Sequence, residues 1–183
     1  MLALFGFSAW FTVSVEMRRS ALKTKRSQKL ELKNGEQLKF VKVIDGDEVS
    51  MQRGEDVFIV RLLGVKCFDA KVTEPGISEF GAACESAVRR TLTGDRKILL
   101  EYDKFLRDRA GRVLGYLRSD GLDVGELIVE QGHGLVYTKY PFKRMTAYMA
   151  SQDQANTRAL GLWSSRKARE RGLALQAEWG RKK

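Results

Sequence analysis

The chain has 183 residues, with 33 Lys and Arg against 23 Asp and Glu and an apolar fraction of 43%. This length suits one domain with extensions, and the apolar fraction is enough for a packed core. The single histidine, His133, speaks against a His-based zinc site and a Ser-His-Asp triad, since both need histidine in particular geometric roles.

Two cysteines, Cys67 and Cys84, make no disulfide framework. They read as buried thiols, although spacing alone does not decide whether they pair. The net charge of +10 is carried by two short arms: residues 16–33 and 166–183 each hold seven Lys or Arg against two Asp or Glu. The segment between them has 19 of each sign and is neutral. Two readings of the arms stand, contact with phosphates or anionic lipid and plain solvation.

The start, "MLALFGFSAWFTVSV", is apolar, with Gly6, Ser8, Thr12 and Ser14 as its only interruptions. As a helix it spans about 22 Å, short of the roughly 30 Å hydrocarbon core, and its length also suits the apolar region of a signal peptide. No basic residue precedes it and no small-x-small cleavage site follows. The basic flank "EMRRSALKTKRSQK" predicts a membrane anchor over residues 1–17 with the domain on the cytoplasmic side. An exported domain is the alternative, and a start site upstream of Met1 gives the same truncated look. Residues 18–33 then form a basic linker, 34–165 a domain, and 166–183 a basic tail.

"QLKFVKVIDGDEVSM" alternates, with Leu38, Phe40 and Val43 or Ile44 facing inward. After a turn at Arg53-Gly54, "EDVFIVRLLGV" reads as a nearly continuous buried strand. "EFGAACESAVRRTL" is helical: Phe80, Ala83, Cys84, Ala87, Val88 and Leu92 share one face, with Ser78 as the expected cap and Gly94 as the stop. "RKILLEYDK" and "RVLGYLRSDG" are two more strands. "VGELIVEQG" is a short helix capped by Asp123, and another helix runs from about Met145 to Leu160. The tail from Ser165 reads as an amphipathic helical extension. This order predicts an α+β fold: a five-stranded OB-type barrel packed with about three helices, plus an N-terminal apolar helix and a C-terminal basic helical tail.

Three stretches carry chemistry: "VIDGDEV" with Asp45 and Asp47, "VRLLGV" with Arg61 in an apolar strand, and "RDRAGR" with Arg112. A strand arginine among Val and Leu needs an anion, and a guanidinium grips phosphate through two parallel hydrogen bonds. Asp47 offers a hard oxygen ligand to a divalent cation. Taken singly, Asp-Gly-Asp also reads as a turn, and a strand arginine as half of a structural ion pair.

These stretches, together with "FGAAC", "LIVEQGHGLVY" and "GLW", resemble the thermonuclease, or staphylococcal-nuclease-like, family from about Leu38 to Trp163. The resemblance implies an OB-barrel phosphodiesterase that cleaves DNA and RNA with calcium. It carries phosphate-gripping roles onto Arg61 and Arg112, a metal role onto Asp47, and mainly structural roles onto Asp45 and Asp108. Tyr137 and Tyr140 fall where the family has tyrosines near the nucleotide; packing against the barrel is the other reading.

One loop departs from the family. Where Asp-Thr-Pro-Glu is expected, this chain has Lys66-Cys67-Phe68-Asp69. The resemblance puts a second metal carboxylate at the first of these positions, and the glutamate that orients or deprotonates the attacking water at the last. An ammonium in place of a carboxylate changes the local charge by two units, each interaction being about 4 kcal/mol at about 4 Å and an effective dielectric near 20. Weak or absent calcium binding follows. Asp69 becomes the candidate base, its carboxylate set back by about 1.5 Å, a misplacement of the order that costs about 100-fold in rate. Lys66 itself becomes a candidate substrate-binding cation that neutralises Asp47 beside the phosphate. Three functional classes remain open: a membrane-tethered nuclease acting through Arg61, Arg112 and Asp69; an inactive OB-type module binding nucleic acid; and a partner-binding domain with its old site locked by Lys66.

Overall fold

The computed structural model describes residues 31–72, 74–104 and 107–181. Three antiparallel strands open the fold: β1 (Glu36–Asp45), β2 (Glu48–Arg53) and β3 (Asp56–Leu62). Two irregularities in β1, between Phe40 and Lys42 and between Val43 and Asp45, bend the strand. After β3 comes the two-residue strand β4 (Val65–Lys66), followed by the loop to helix α1 (Ser78–Leu92). β5 (Ile98–Glu101) pairs antiparallel with β1, and β6 (Val113–Ser119) pairs antiparallel with β5. β6 also runs parallel to β3, with Arg61 opposite Leu114. That last pairing closes the five-stranded barrel, which is the predicted architecture, and leaves its main strands without a free edge.

The barrel is filled from both sheet directions by Leu38, Val49, Met51, Val60, Leu62, Ile98, Leu100, Val113 and Leu117, all 2% exposed or less. Gly115 permits the close passage of β6 over β5: a Cβ there would lie 2.5 Å from a Leu100 methyl. β3 differs from the expected buried run. Val60 and Leu62 are buried, but Val57 is 59% and Ile59 37% exposed. A barrel strand has one inner face, so alternate positions point outward whatever their hydrophobicity.

β7 (Leu122–Asp123) turns back to pair antiparallel with the end of β6 and feeds helix α2 (Val124–Glu130), whose N-terminus is capped by Asp123 accepting from Gly125 N and Glu126 N. β8 (Leu135–Val136) pairs with β4, putting Lys66 opposite Leu135. Helix α3 (Met145–Thr157) and a short 3-10 turn (Gly161–Ser164) follow. Arg144, just before α3, ties it to the barrel: it pairs with Glu101 and Asp123 and lies over the Tyr116 ring at 4.0 Å. Tyr148 donates to Asp123 at 2.8 Å, and burial followed by the Asp123 charge pushes its hydroxyl well above the usual tyrosine range.

The final helix, α4 (Arg166–Gly180), is capped by Ser165 and packs through Ala168, Gly172, Leu175 and Trp179. Gly172 lets the helix lie close there, since a Cβ would sit 3.1 Å from a Leu135 methyl, a tight contact. Gln176 donates to Val136 O at 3.3 Å and to the buried Gln152 at 2.9 Å, while Gln152 accepts from Val136 N. Two glutamines thus complete the hydrogen bonding of β8 as a neighbouring strand would. The expected basic tail is therefore a docked helix.

Three local expectations are corrected. Ser78 begins α1 without capping it, and its hydroxyl turns back to Glu74 O. Cys67 and Cys84 are joined by a disulfide instead of standing as two thiols. The membrane-anchored, cytoplasmic-side placement is also withdrawn. Its apolar segment lies outside the described residues, and among these no helix is long and apolar enough to cross a membrane. The longest, α1 and α4, have 15 residues each and carry several charges, giving about 22 Å against roughly 30 Å.

Candidate functional site

The site begins at the β1–β2 turn. Asp45 pairs across to Glu48, and its carboxylate accepts from Gly46 N at 2.7 Å. Gly46 has to be glycine because a Cβ would lie 2.7 Å from Cys67 Cβ and 2.8 Å from Cys84 Sγ. The turn therefore rests directly on the disulfide. This aims Asp47 inward, where it is fully buried.

A buried carboxylate is costly unless it is compensated, and Asp47 has three partners. Its Oδ1 pairs with Arg61 Nη1 from β3. Its Oδ2 accepts from Cys67 N at 3.0 Å and lies 3.2 Å from Lys66 Nζ. Arg61 is 13% exposed and also donates to Val65 O at 3.3 Å, while Lys66 is 35% exposed. The expected contact between Lys66 and Asp47 is thus present, with the ammonium at the solvent side of the pair. Formally this group carries +1.

Arg112 sits beside it through Glu48, the residue opposite Arg61 in the β2–β3 register. Its guanidinium pairs with Glu48 and is held by Asp108 at 2.6 and 2.7 Å. Burial pushes Asp108 up, but hydrogen bonds from the Arg112 side chain and backbone outweigh it and leave its carboxyl below the usual range. The Asp108 bond, working against burial, raises Arg112 in turn. This second group carries −1, so the surplus cation of the site is at Lys66. Glu48 does not join Asp47 as a second metal carboxylate; its role as a partner of Arg112 was hidden by a separation of 64 residues.

Asp69, the candidate base, lies on the loop after Cys67. Its Oδ1 accepts from Lys71 N at 2.8 Å, and Lys71 Nζ donates to Ile44 O at 3.2 Å. Gly81 lets the first turn of α1 press on this loop, where a Cβ would be 2.5 Å from Ala70 N. The loop is accordingly pinned by the disulfide, by Gly81 and by Lys71. Tyr137 follows β8, and its N–H donates to Gly64 O at 2.9 Å, two residues from Lys66. Tyr140 stands 6.2 Å from it, ring to ring, and is 64% exposed. The sequence reading did not include Trp179, whose ring lies 4.8 Å from that of Tyr137. The spacing Ala168, Gly172, Leu175, Trp179 was the signal that could have found it.

Calcium, which the resemblance implies, does not fit these residues. It wants six to eight oxygens, preferably anionic. Both Asp47 oxygens are engaged by cations or an amide, and Glu48 is committed to Arg112. Among the described residues no three His, Cys, Asp or Glu side chains come together as a metal-holding group.

The profile of the staphylococcal nuclease homologue family matches residues 59–165. The chain is 26% identical over 133 residues to a thermonuclease of Staphylococcus hyicus, covering 72% of this chain and 78% of that protein. It is 28% identical over 130 residues to the SPbeta prophage-derived endonuclease YokF of Bacillus subtilis, covering 67% of this chain and 42% of YokF. With the endonuclease YncB of Bacillus subtilis it shares 29% identity over 130 residues, 67% of this chain and 59% of YncB. It thus spans less than two thirds of either Bacillus relative. Given the closed barrel, the Asp47–Arg61 pair on its wall and a family match over more than half its length, this chain belongs to the staphylococcal nuclease homologue family.

Proposed function

We propose that this chain is a nuclease-like domain that binds the phosphodiester backbone of DNA or RNA and hydrolyses it slowly without a metal ion. The reading rests on one observation above others, the Lys66 ammonium 3.2 Å from the buried Asp47 carboxylate. In the family pattern, three carboxylates and a divalent cation sum to −1. Asp47, Lys66 and Asp69 also sum to −1, so the lysine replaces the charge of the ion with nothing added.

A phosphate docks first on the exposed side of Lys66. Arg61 keeps its grip on Asp47 and exchanges its long bond to Val65 O for a phosphoryl oxygen. Arg112, 36% exposed, turns from Glu48 towards the same group. Once turned onto the phosphate, these cations stabilise charge developing on the phosphoryl oxygens. Water adds to phosphorus, Asp69 takes its proton, the bond to the leaving strand breaks, and the leaving alkoxide takes a proton from solvent. Slowness follows from the short Asp69 side chain, whose Oδ1 already accepts from Lys71 N. The endonuclease character of the relatives supports a nucleic-acid substrate.

A second reading, an inactive module that binds nucleic acid or a protein partner, is favoured by one feature: Arg112 is held by two carboxylates at once. Incubating single-stranded DNA and RNA with the full chain, in chelator and in calcium, separates the two. The first reading expects product in both media and its loss in Arg61→Ala. Salt-sensitive binding without product supports the second. Product formed only with calcium contradicts the metal-free reading.

A further inference from the structure

We infer that Glu48 is an internal competitor for phosphate: its carboxylate occupies one end of the Arg112 guanidinium, and a nucleic-acid strand engages Arg112 only by displacing it. This role rests on the proposed phosphate site and assigns a determinant of how tightly that site holds its substrate.

Each nitrogen of the Arg112 guanidinium is engaged. Asp108 takes Nε at 2.7 Å and Nη2 at 2.6 Å, and Glu48 pairs with Nη1. A guanidinium grips phosphate through two parallel hydrogen bonds, so one carboxylate has to yield. Asp108 is the harder one to move. Its Oδ1 accepts from Ala110 N at 2.9 Å and from Arg112 N at 3.0 Å, which shapes the turn that carries Arg112. Asp108 also orients the guanidinium by itself, so Glu48 is not required for that. Among the described residues, the Glu48 carboxylate bonds Arg112 alone. Once it leaves, Nη1 and the second N–H of Nη2 form an end-on fork, with Asp108 still in place along the other edge.

Glu48 also stands between the two arginines of the site. It is the register partner of Arg61 across β2 and β3. Directly opposed residues of an antiparallel pair send their side chains to the same face, about 5 Å apart. A carboxylate there is an anion between two cations, the place a phosphoryl group would take. At the side chain Glu48 is 18% and Arg112 36% exposed, so the pair is reachable from solvent. The Glu48 backbone is held on both sides, opposite Asp45 of β1 and Arg61 of β3, so the side chain alone has to swing. A phosphate already docked at Lys66 meets Glu48 at high effective concentration, which is why docking there comes first.

The experiment is a double-mutant cycle on the binding of a labelled oligothymidylate to the full chain in chelator, with wild type, Glu48→Gln, Arg112→Ala and the double variant. Glu48→Gln keeps the length of the side chain and removes its charge. Release of Arg112 from a charged hydrogen bond predicts that Glu48→Gln binds about 10-fold more tightly than wild type. Arg112→Ala then costs about 10-fold more affinity in the Glu48→Gln chain than in the wild type. Simple repulsion between Glu48 and the strand also raises the affinity of Glu48→Gln, but it leaves the cost of Arg112→Ala the same in both chains. That equality overturns the competition and leaves the Lys66 phosphate site standing, as does unchanged or weaker binding by Glu48→Gln. Binding by Glu48→Gln and not by the wild type supports the competition. If none of the four chains binds, the phosphate reading fails and the competition fails with it. Glu48→Ser replaces Glu48→Gln throughout if the latter does not fold.

Discussion

An ammonium 3.2 Å from a fully buried carboxylate changes what that carboxylate can do. Asp47 is compensated from inside by Arg61 and from the solvent side by Lys66, and the two bonds differ in worth. Breaking a buried pair strands a charge at about 3–5 kcal/mol, whereas a part-exposed lysine contributes about 1 kcal/mol or less. Asp47→Asn should therefore lower unfolding free energy by about 3 kcal/mol in a denaturant titration, and Lys66→Ala by less than about 1. Restoring the family's acidic residues, Lys66→Asp with Asp69→Glu, should create calcium-stimulated cleavage; no gain would count against the role given to this loop. His133 supplies a separate test. Burial, followed by the charge of Arg90, lowers its pKa from the ordinary 6.5, so the unfolded chain takes up the proton first. The stabilisation is present in full above pH 6.5 and is lost as pH falls through the depressed folded value. Melting curves between pH 7.5 and 5.5 should show a decline that His133→Gln reduces.

Among the elements, those with a clean period were legible and those made by long-range contact were not. The periodic face of α1 from Phe80 to Leu92 marks the helix correctly, and Asp123 caps α2 as its position indicates. β3 misled because its outward residues Val57 and Ile59 are as apolar as its inward ones. Arg61, Asp47 and Lys66 were legible as a group because family motifs fix their order. The clasp of Glu48 on Arg112 was not, since nothing local ties residues 64 apart. The docking of α4 was masked by the seven basic residues of the 166–183 segment, four of them in the helix, which outweigh its small and apolar stripe in the sequence pattern. Glycine explains another junction. Gly132 has φ +70°, and a Cβ there would lie 2.2 Å from Leu160 O. Gly132→Ala should cost about 2 kcal/mol or more, read as a lower denaturant midpoint with unchanged slope.

At the scale of the whole molecule, the closed barrel supplies a wall, and the Cys67–Cys84 disulfide joins the loop after β4, where the proposed reading puts its base, to α1. A cross-link across 17 residues stabilises by about 3 kcal/mol in the chain-entropy account. Reduction should lower the melting temperature, and Cys84→Ser should abolish that sensitivity. Such a wall holds Asp47, Arg61 and Lys66 in one arrangement before any substrate arrives, which is what electrostatic catalysis requires. The central claim is that the Lys66 charge does what a divalent cation does in the family pattern. It is tested most directly by the rate at which the full chain cleaves a labelled single-stranded oligonucleotide, with and without calcium, compared with Lys66→Ala. The account predicts equal wild-type rates in calcium and in chelator, and a loss of about 100-fold in Lys66→Ala under both conditions. Cleavage that depends on calcium, or that survives undiminished in Lys66→Ala, would contradict it.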